Sequence, residues 1–359
     1  MEGEMRVVVN NIAASTSGAL SILKSFYKYI SSSKVGKEHE WIFLLNDNYI
    51  EETENVKVIV LNNVKKSWKN RLEFDFISGK KIITELRPDV VFSLQNTIIY
   101  GLDYPQILYM HQAIPFQKEK RFSFLKPEER TLAIYQYLIG RVIKKSIKKA
   151  DKVVVQTNWI KDAVIKDTNI SPKKITAILP PFEDKANRYK SHHPFKANNF
   201  FYPAAESLYK NHKCIYEACS ILNNKGTKNF EISLTIKNKE DIENISYLGE
   251  IPFEEVMYRY NTSTLIFPSY IETVGLPLME ARQIGTLVLA ADCAYAREVL
   301  QGYENVYFFD PFKPQELAYL LEKVLLKEIQ PKIMEQADDK NQANSWIEVI
   351  EILIESMVK

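Results

Sequence analysis

The 359-residue chain is too long for one ordinary core and suits two α/β domains of common size. It is 46% hydrophobic and 26% charged, a globular profile, and 47 Lys and Arg against 45 Asp and Glu leave a formal charge of +2, which gives no reason to invoke nucleic acid. Cys214, Cys219 and Cys293 form no Cys-x-x-Cys pair and have no histidine at metal-ligand spacing, which argues against a disulfide framework or a structural zinc and fits a reducing cytoplasm.

In chain order, Val7-Val8-Val9 opens the chain as a strand, without the basic start and long apolar stretch of a signal peptide. No run approaches the roughly 18 apolar residues that span a bilayer, so any membrane association is expected to be peripheral. Residues 10–18 form a loop of small and polar residues, in which Ser17 suits a helix cap and Gly18 permits close approach to a ligand. Leu20, Leu23, Phe26, Tyr27 and Ile30 then recur at helical spacing, followed by strands over 41–45 and 56–61. A helix over 80–86 stops before Pro88. Strands follow at 89–94, 106–110 and 152–155, with a long helix over 132–150 between the last two. Strands separated by helices predict a parallel, doubly wound sheet.

Pro180-Pro181 and His192-His193-Pro194 mark a linker. A second alternation starts at 200–202 and runs through helix 213–223, strand 230–236, helix 252–261, strand 264–267, helix 277–284 and strand 287–290. Amphipathic helices over 314–326 and 344–357 close the chain. The predicted organisation is a first Rossmann-like domain over 1–180, a linker over 181–198, a second over 199–343, and a terminal helix over 344–359 that packs back on the first. A ligand between two such domains sits at the carboxyl ends of the strands.

The most informative stretch is Ser269-Tyr270-Ile271-Glu272-Thr273-Val274-Gly275-Leu276-Pro277-Leu278-Met279-Glu280-Ala281. It follows a strand and opens a helix, with Pro277 near the first helical position and Gly285 placed to end the helix. Gly275 lets backbone approach an anion and the helix dipole favours negative charge, which suits a diphosphate. Glu272 and Glu280 flank that position as acceptors for sugar hydroxyls. The pattern Pro-Ser-x(2)-Glu-x(2)-Gly-Leu-Pro-x(2)-Glu-Ala, with its two glutamates separated by seven residues, resembles the retaining GT-B glycosyltransferases, in particular glycosyltransferase family four (glycosyl transferases group 1). The resemblance covers nearly the whole chain.

The resemblance implies an α/β GT-B fold, two Rossmann-like doubly wound domains facing across a cleft, with the acceptor on the first and the nucleotide sugar on the second. Glu272 would contact hydroxyls of the donor sugar, Glu280 the ribose, and the backbone at Thr273, Val274, Gly275 and Leu276 the diphosphate. Lys210-Asn211-His212 matches the family's Lys-Asn-His, whose lysine neutralises the donor diphosphate. Gly249 and Ile251 would pack the nucleotide base, or form a plain turn. Gly18 would approach the donor, or belong to a simple cap. His111 would face the donor sugar, although a histidine at a strand end is commonly structural. Ser93-Leu94-Gln95-Asn96 would supply acceptor hydrogen bonds.

The implied reaction is retaining transfer of a hexose from a nucleotide-diphosphate sugar to a saccharide or lipid-linked saccharide acceptor, with no metal and no other cofactor, in bacterial surface polysaccharide synthesis. Two departures stand out: Ala205 replaces an arginine found five residues before the lysine, and Thr273-Val274 replace the usual Gly-Phe. They keep open a non-catalytic subunit of a transferase complex; a nucleotide-sugar 2-epimerase shares the double fold. Arg141, Lys144, Lys145, Lys148, Lys149 and Lys152 form a basic helix face, near a loop carrying Lys118, Lys120, Arg121, Lys126 and Arg130 among Phe122, Phe124 and Leu125. Two readings stand: docking to an anionic membrane surface on the inner face of the cell membrane, or a solvated helix face with a disordered loop.

Overall fold

Short apolar runs buried on both faces belong to parallel strands covered by helices, and the chain has two sets of them. The computed structural model describes residues 4–13, 17–181, 189, 194–237, 241–332 and 345–357. The first sheet comprises β1 (Arg6–Asn10), β2 (Glu40–Leu45), β3 (Val56–Val60), β4 (Val90–Ser93), β5 (Gln106–Met110), β6 (Lys152–Val155) and β7 (Ile175–Ala177), in the order β3-β2-β1-β4-β5-β6-β7. The second comprises β8 (Asn199–Tyr202), β9 (Glu231–Leu234), β10 (Ile245–Tyr247), β11 (Thr264–Phe267), β12 (Val288–Ala291) and β13 (Val306–Phe309), in the order β10-β9-β8-β11-β12-β13. The paired strands of both sheets run parallel. The two Rossmann-like domains expected from the sequence are therefore present. Chain order reverses beside β1 in the first sheet and beside β8 in the second, the switch points where such sheets bind ligands.

The period-two alternation of a strand divides the core of the first domain. Val7 and Val9 face one cluster with Phe26 and Trp41, while Val8 faces another with Phe74 and Ile83. The terminal helix Ser345–Met357 belongs to the first of these clusters. Its Trp346 ring lies 5.0 Å from Phe26 and 5.6 Å from Tyr109, and its indole nitrogen donates to Ser25 Oγ at 3.0 Å. The helix that follows the second domain in the chain thus packs on the first.

The long helix over 132–150 runs as Arg130–Ala133, a π-helical turn Ile134–Ile139 and Gly140–Lys149. Most of the expected linker, like Ala14, Ser15 and Thr16, lies outside the described residues; at its far end Lys196 N donates to Thr262 O at 2.9 Å, against the second domain. No described helix is long and apolar enough to cross a membrane.

Candidate functional site

The second-domain site is built where β11 gives way to the helix Leu276–Ile284. Gly275 precedes the helix at φ +80°, and a Cβ there would lie 3.3 Å from the Tyr295 ring and 3.4 Å from Leu278, so a side chain is excluded by both conformation and space. Gly285 ends the helix at φ +89°. Between strand and helix, Ser269 Oγ donates to Glu272 Oε1 at 2.8 Å, while the Ser269 carbonyl accepts from the Tyr295 hydroxyl at 2.5 Å. Lys210 Nζ donates to the same Glu272 oxygen, and both side chains are largely buried. Burial pulls the Lys210 ammonium down, but the Glu272 carboxylate and the hydrogen bond to it outweigh that, so its pKa is raised.

Lys210 ends a short turn, Leu208–Lys210, just beyond β8, and its carbonyl accepts from Tyr202 OH at 2.8 Å. The next residue, Asn211, adopts φ +60° and donates to Pro311 O at 2.7 Å and Pro268 O at 3.3 Å. Three strand ends are thereby joined around the lysine. On the helix, Glu280 accepts from Tyr260 OH at 3.1 Å, and burial followed by the Glu280 charge raises the Tyr260 hydroxyl well above its usual range. Leu276 is exposed, Val274 is buried, and Gly249, at φ +66° beyond β10, uses its N–H on Ile236 O at 3.2 Å. Ile251 is half-buried beside it.

In the first domain, His111 follows β5. Asn96, at φ +66°, accepts from His111 N at 2.8 Å and places its amide nitrogen 3.4 Å from Nε2. Burial lowers the imidazole to about 4, so it is neutral at pH 7, and Nδ1 has no partner. The helix begins at Ser17, so Gly18 lies exposed in its first turn, with open space around its Cβ position.

Sequence reasoning missed the contacts between the domains. Thr273 turns its carbonyl to the first domain, accepting from Thr157 Oγ1 at 2.8 Å and Trp159 Nε1 at 3.1 Å. Glu298 reaches across to the start of the helix Asn158–Thr168 and accepts from the backbone N–H of Asn158 and Trp159, each at 2.7 Å. Those are orphan donors at a helix N-terminus, satisfied here by a carboxylate of the other domain. The loop 116–130 is packed rather than disordered: Glu129 accepts from Ser123 N at 2.9 Å and pairs with Lys120 at 3.0 Å, and Phe122 N donates to Gln136 at 2.9 Å. Its Glu119 is pushed up by burial and then by Asp292 and Asp310 of the second domain. The carboxyl edges of the two sheets therefore face each other. No group of three or more His, Cys, Asp or Glu placed to hold a metal ion occurs among the described residues.

Residues 184–341 match the model of glycosyl transferases group 1. The O-antigen chain mannosyltransferase RfbU of Salmonella typhimurium is 21% identical over 299 residues, which cover 76% of this chain and 84% of that protein. WaaG, a glycosyltransferase involved in lipopolysaccharide biosynthesis, shares the fold with a TM-score of 0.65 at 14% identity, over 90% of this chain and 91% of its own. HepE of Anabaena, in complex with UDP-glucose, does so with a TM-score of 0.63 at 14% identity, over 99% and 97%. The chain has the GT-B fold, and its second domain carries the glycosyl transferases group 1 region. The matched region holds Lys210, Gly249, Ile251, Glu272, Gly275 and Glu280, whereas His111, Thr157 and Trp159 come from the half before it.

Proposed function

We propose that the enzyme transfers a hexose, with retention of anomeric configuration and without a metal, from a nucleotide-diphosphate sugar to a saccharide or lipid-linked saccharide in bacterial surface polysaccharide synthesis. The observation that carries this reading is the Lys210–Glu272 pair beside the Gly275-led helix. A diphosphate at the helix N-terminus would draw Lys210 to itself, since the ammonium answers charge that grows as the phosphate leaves. Glu272 is then released to accept hydrogen bonds from sugar hydroxyls, and Glu280 does the same for the ribose. A lysine and a helix dipole supply the charge stabilisation that a divalent cation gives elsewhere, which supports metal independence. Backbone at Thr273, Val274 and Leu276 lines the diphosphate, Gly249 and Ile251 the base, and neutral His111 faces the transferred sugar. No carboxylate is needed as nucleophile if the acceptor hydroxyl attacks the anomeric carbon on the face from which the diphosphate departs, the new C–O bond forming as the C–O bond to phosphate breaks and the hydroxyl proton passing to a leaving phosphate oxygen. Gly18, in the exposed first turn of its helix with open space around it, leaves room for the donor to approach. The name of the Salmonella relative, a mannosyltransferase of O-antigen chains, supports the polysaccharide setting.

The test is release of nucleoside diphosphate from a panel of nucleotide sugars, with and without membrane lipid extract, in chelator. Release from one donor, falling on the order of 100-fold in Glu272→Ala, is the expected result. Release abolished by chelator would reject metal independence. Nucleotide binding without release from any donor would favour the non-catalytic subunit that Ala205 and Thr273-Val274 keep open.

A further inference from the structure

Glu280 is held by a residue that the strand-loop-helix motif does not contain. Tyr260, on the helix Phe253–Thr262, is 1% exposed and donates its hydroxyl to Glu280 at 3.1 Å. Its own position is fixed. The ring meets Phe201 of β8 edge-on at 6.0 Å, and the Arg259 guanidinium covers that same Phe201 ring at 5.5 Å. The Tyr260 carbonyl accepts from Thr286 Oγ1 at 2.7 Å, and Thr286 N donates to the carbonyl of Ala281, the residue after Glu280, at 3.0 Å. Phenol and carboxylate are therefore tied together through the backbone as well as through their own hydrogen bond.

A phenylalanine would fill this buried place without a hydroxyl that has to be paired. The hydroxyl acts instead on the acid. The last torsion of a glutamate is broad, so an unheld carboxylate points its oxygens in many directions. An engaged oxygen sets the plane of the group, and with it the direction of the second oxygen, before a ligand arrives. Glu280 itself is only half-buried, within reach of a ligand. The helix that carries Tyr260 begins just past Ile251, so the loop assigned to the base and the acid assigned to the ribose are joined by one element.

We infer that Tyr260 is a positioning residue, which aims Glu280 at a ribose hydroxyl of the nucleoside diphosphate and makes donor affinity depend on that hydroxyl. The inference rests on the reading of Glu280 as the ribose acceptor.

Calorimetry on the full chain first finds which of UDP, GDP, ADP and CDP binds. It then compares that nucleotide with its 2′-deoxy and 3′-deoxy analogues in wild type, Glu280→Ala and Tyr260→Phe, with Tyr260→Met as a second hydroxyl-free variant. Wild type is expected to lose about tenfold in affinity when the recognised hydroxyl is removed. In the Tyr260 variants the deoxy nucleotide binds as it does to wild type, while the gain from the hydroxyl shrinks to about twofold. Glu280→Ala removes the gain altogether. A role in packing alone predicts a lower thermal midpoint for Tyr260→Phe with the ribose gain intact, and that result would overturn the inference. Affinity lost equally for ribose and deoxyribose nucleotides would overturn it too. Two other results strike the underlying reading of Glu280 and take the role of Tyr260 with it: a wild type that ignores both hydroxyls or binds none of the four nucleotides, and a Glu280→Ala variant that keeps the gain.

Discussion

The proton on His111 links folding to pH with a definite sign. Its imidazole falls from 6.5 to about 4 on burial, so the unfolded chain binds the proton more readily. The associated stability is complete above pH 6.5 and is lost as the pH falls towards 4. Between pH 7 and pH 5 that loss is about 2 kcal/mol. Urea unfolding at both pH values is expected to show a gap that shrinks by this amount in His111→Gln; an equal gap in both proteins would mean that the ring is hydrated in the fold. Gly275 gives a second residue-scale prediction. Gly275→Ala should cost about 1 to 3 kcal/mol for the left-handed backbone and more for the Tyr295 contact, whereas Gly249→Ala, with open space around it, carries only the backbone cost. Equal thermal midpoints for the two variants would remove the Tyr295 contact from the account. Lys210, Glu272 and Gly275 were legible in the sequence because each stands in a short contiguous motif tied to a strand end. Thr157, Trp159 and Glu298 were not, since Glu298 meets its partners from 139 and 140 residues away and nothing local marks it.

Among the elements, the helix Asn158–Thr168 depends on the other domain for its start. The residue at its N-cap position, Thr157, spends its hydroxyl on the Thr273 carbonyl and makes no capping bond, so Glu298 takes that role from across the cleft. Thr273 adjoins Glu272, so this contact also holds the loop that presents the carboxylate. Glu298→Ala is expected to speed hydrogen exchange at the Asn158 and Trp159 amides. Trp159→Phe, which removes only the indole donor, should raise donor KM severalfold with little change in kcat. Unaltered exchange and KM would show that other contacts suffice to hold the domains. Most strands were legible from their apolar runs, but the edge strands β7, β10 and β13 were not: only Ile175 of β7 and Phe309 of β13 are buried and none of β10, so these strands carry little pattern. The π-helical turn at Ile134–Ile139 escaped notice because periodicity on either side of it is helical.

Over the whole molecule, one face of the first domain joins apolar and basic groups. Ile77 is 69% exposed and Leu125 90%, and Trp68, Leu72, Phe76, Phe124 and Leu138 are exposed too. Trp68 packs at 5.8 Å on Tyr135 and Phe124 at 5.7 Å on Tyr137, so both patches meet along the segment that begins the basic helix. Part of the expected basic face is used internally, since Lys144 pairs with Asp167 at 3.0 Å, but Arg141, Lys145, Lys148 and Lys149 stay exposed. The sequence disclosed those cations together with Phe124 and Leu125 but concealed the further apolar neighbours Trp68, Leu72 and Phe76, which recur every four residues, the spacing of a buried helix face. With a net charge of only +2, attraction to anionic lipid must come from this local cluster, at about 1 kcal/mol per cation near the surface. Cosedimentation with phosphatidylglycerol vesicles is therefore expected, falling at least tenfold in 0.5 M salt, in phosphatidylcholine vesicles, and in a Trp68→Glu, Leu125→Glu double variant. Equal binding to both vesicle types would assign the attachment to apolar insertion alone. No binding to either would leave the lysines as a solvated face and require a soluble acceptor.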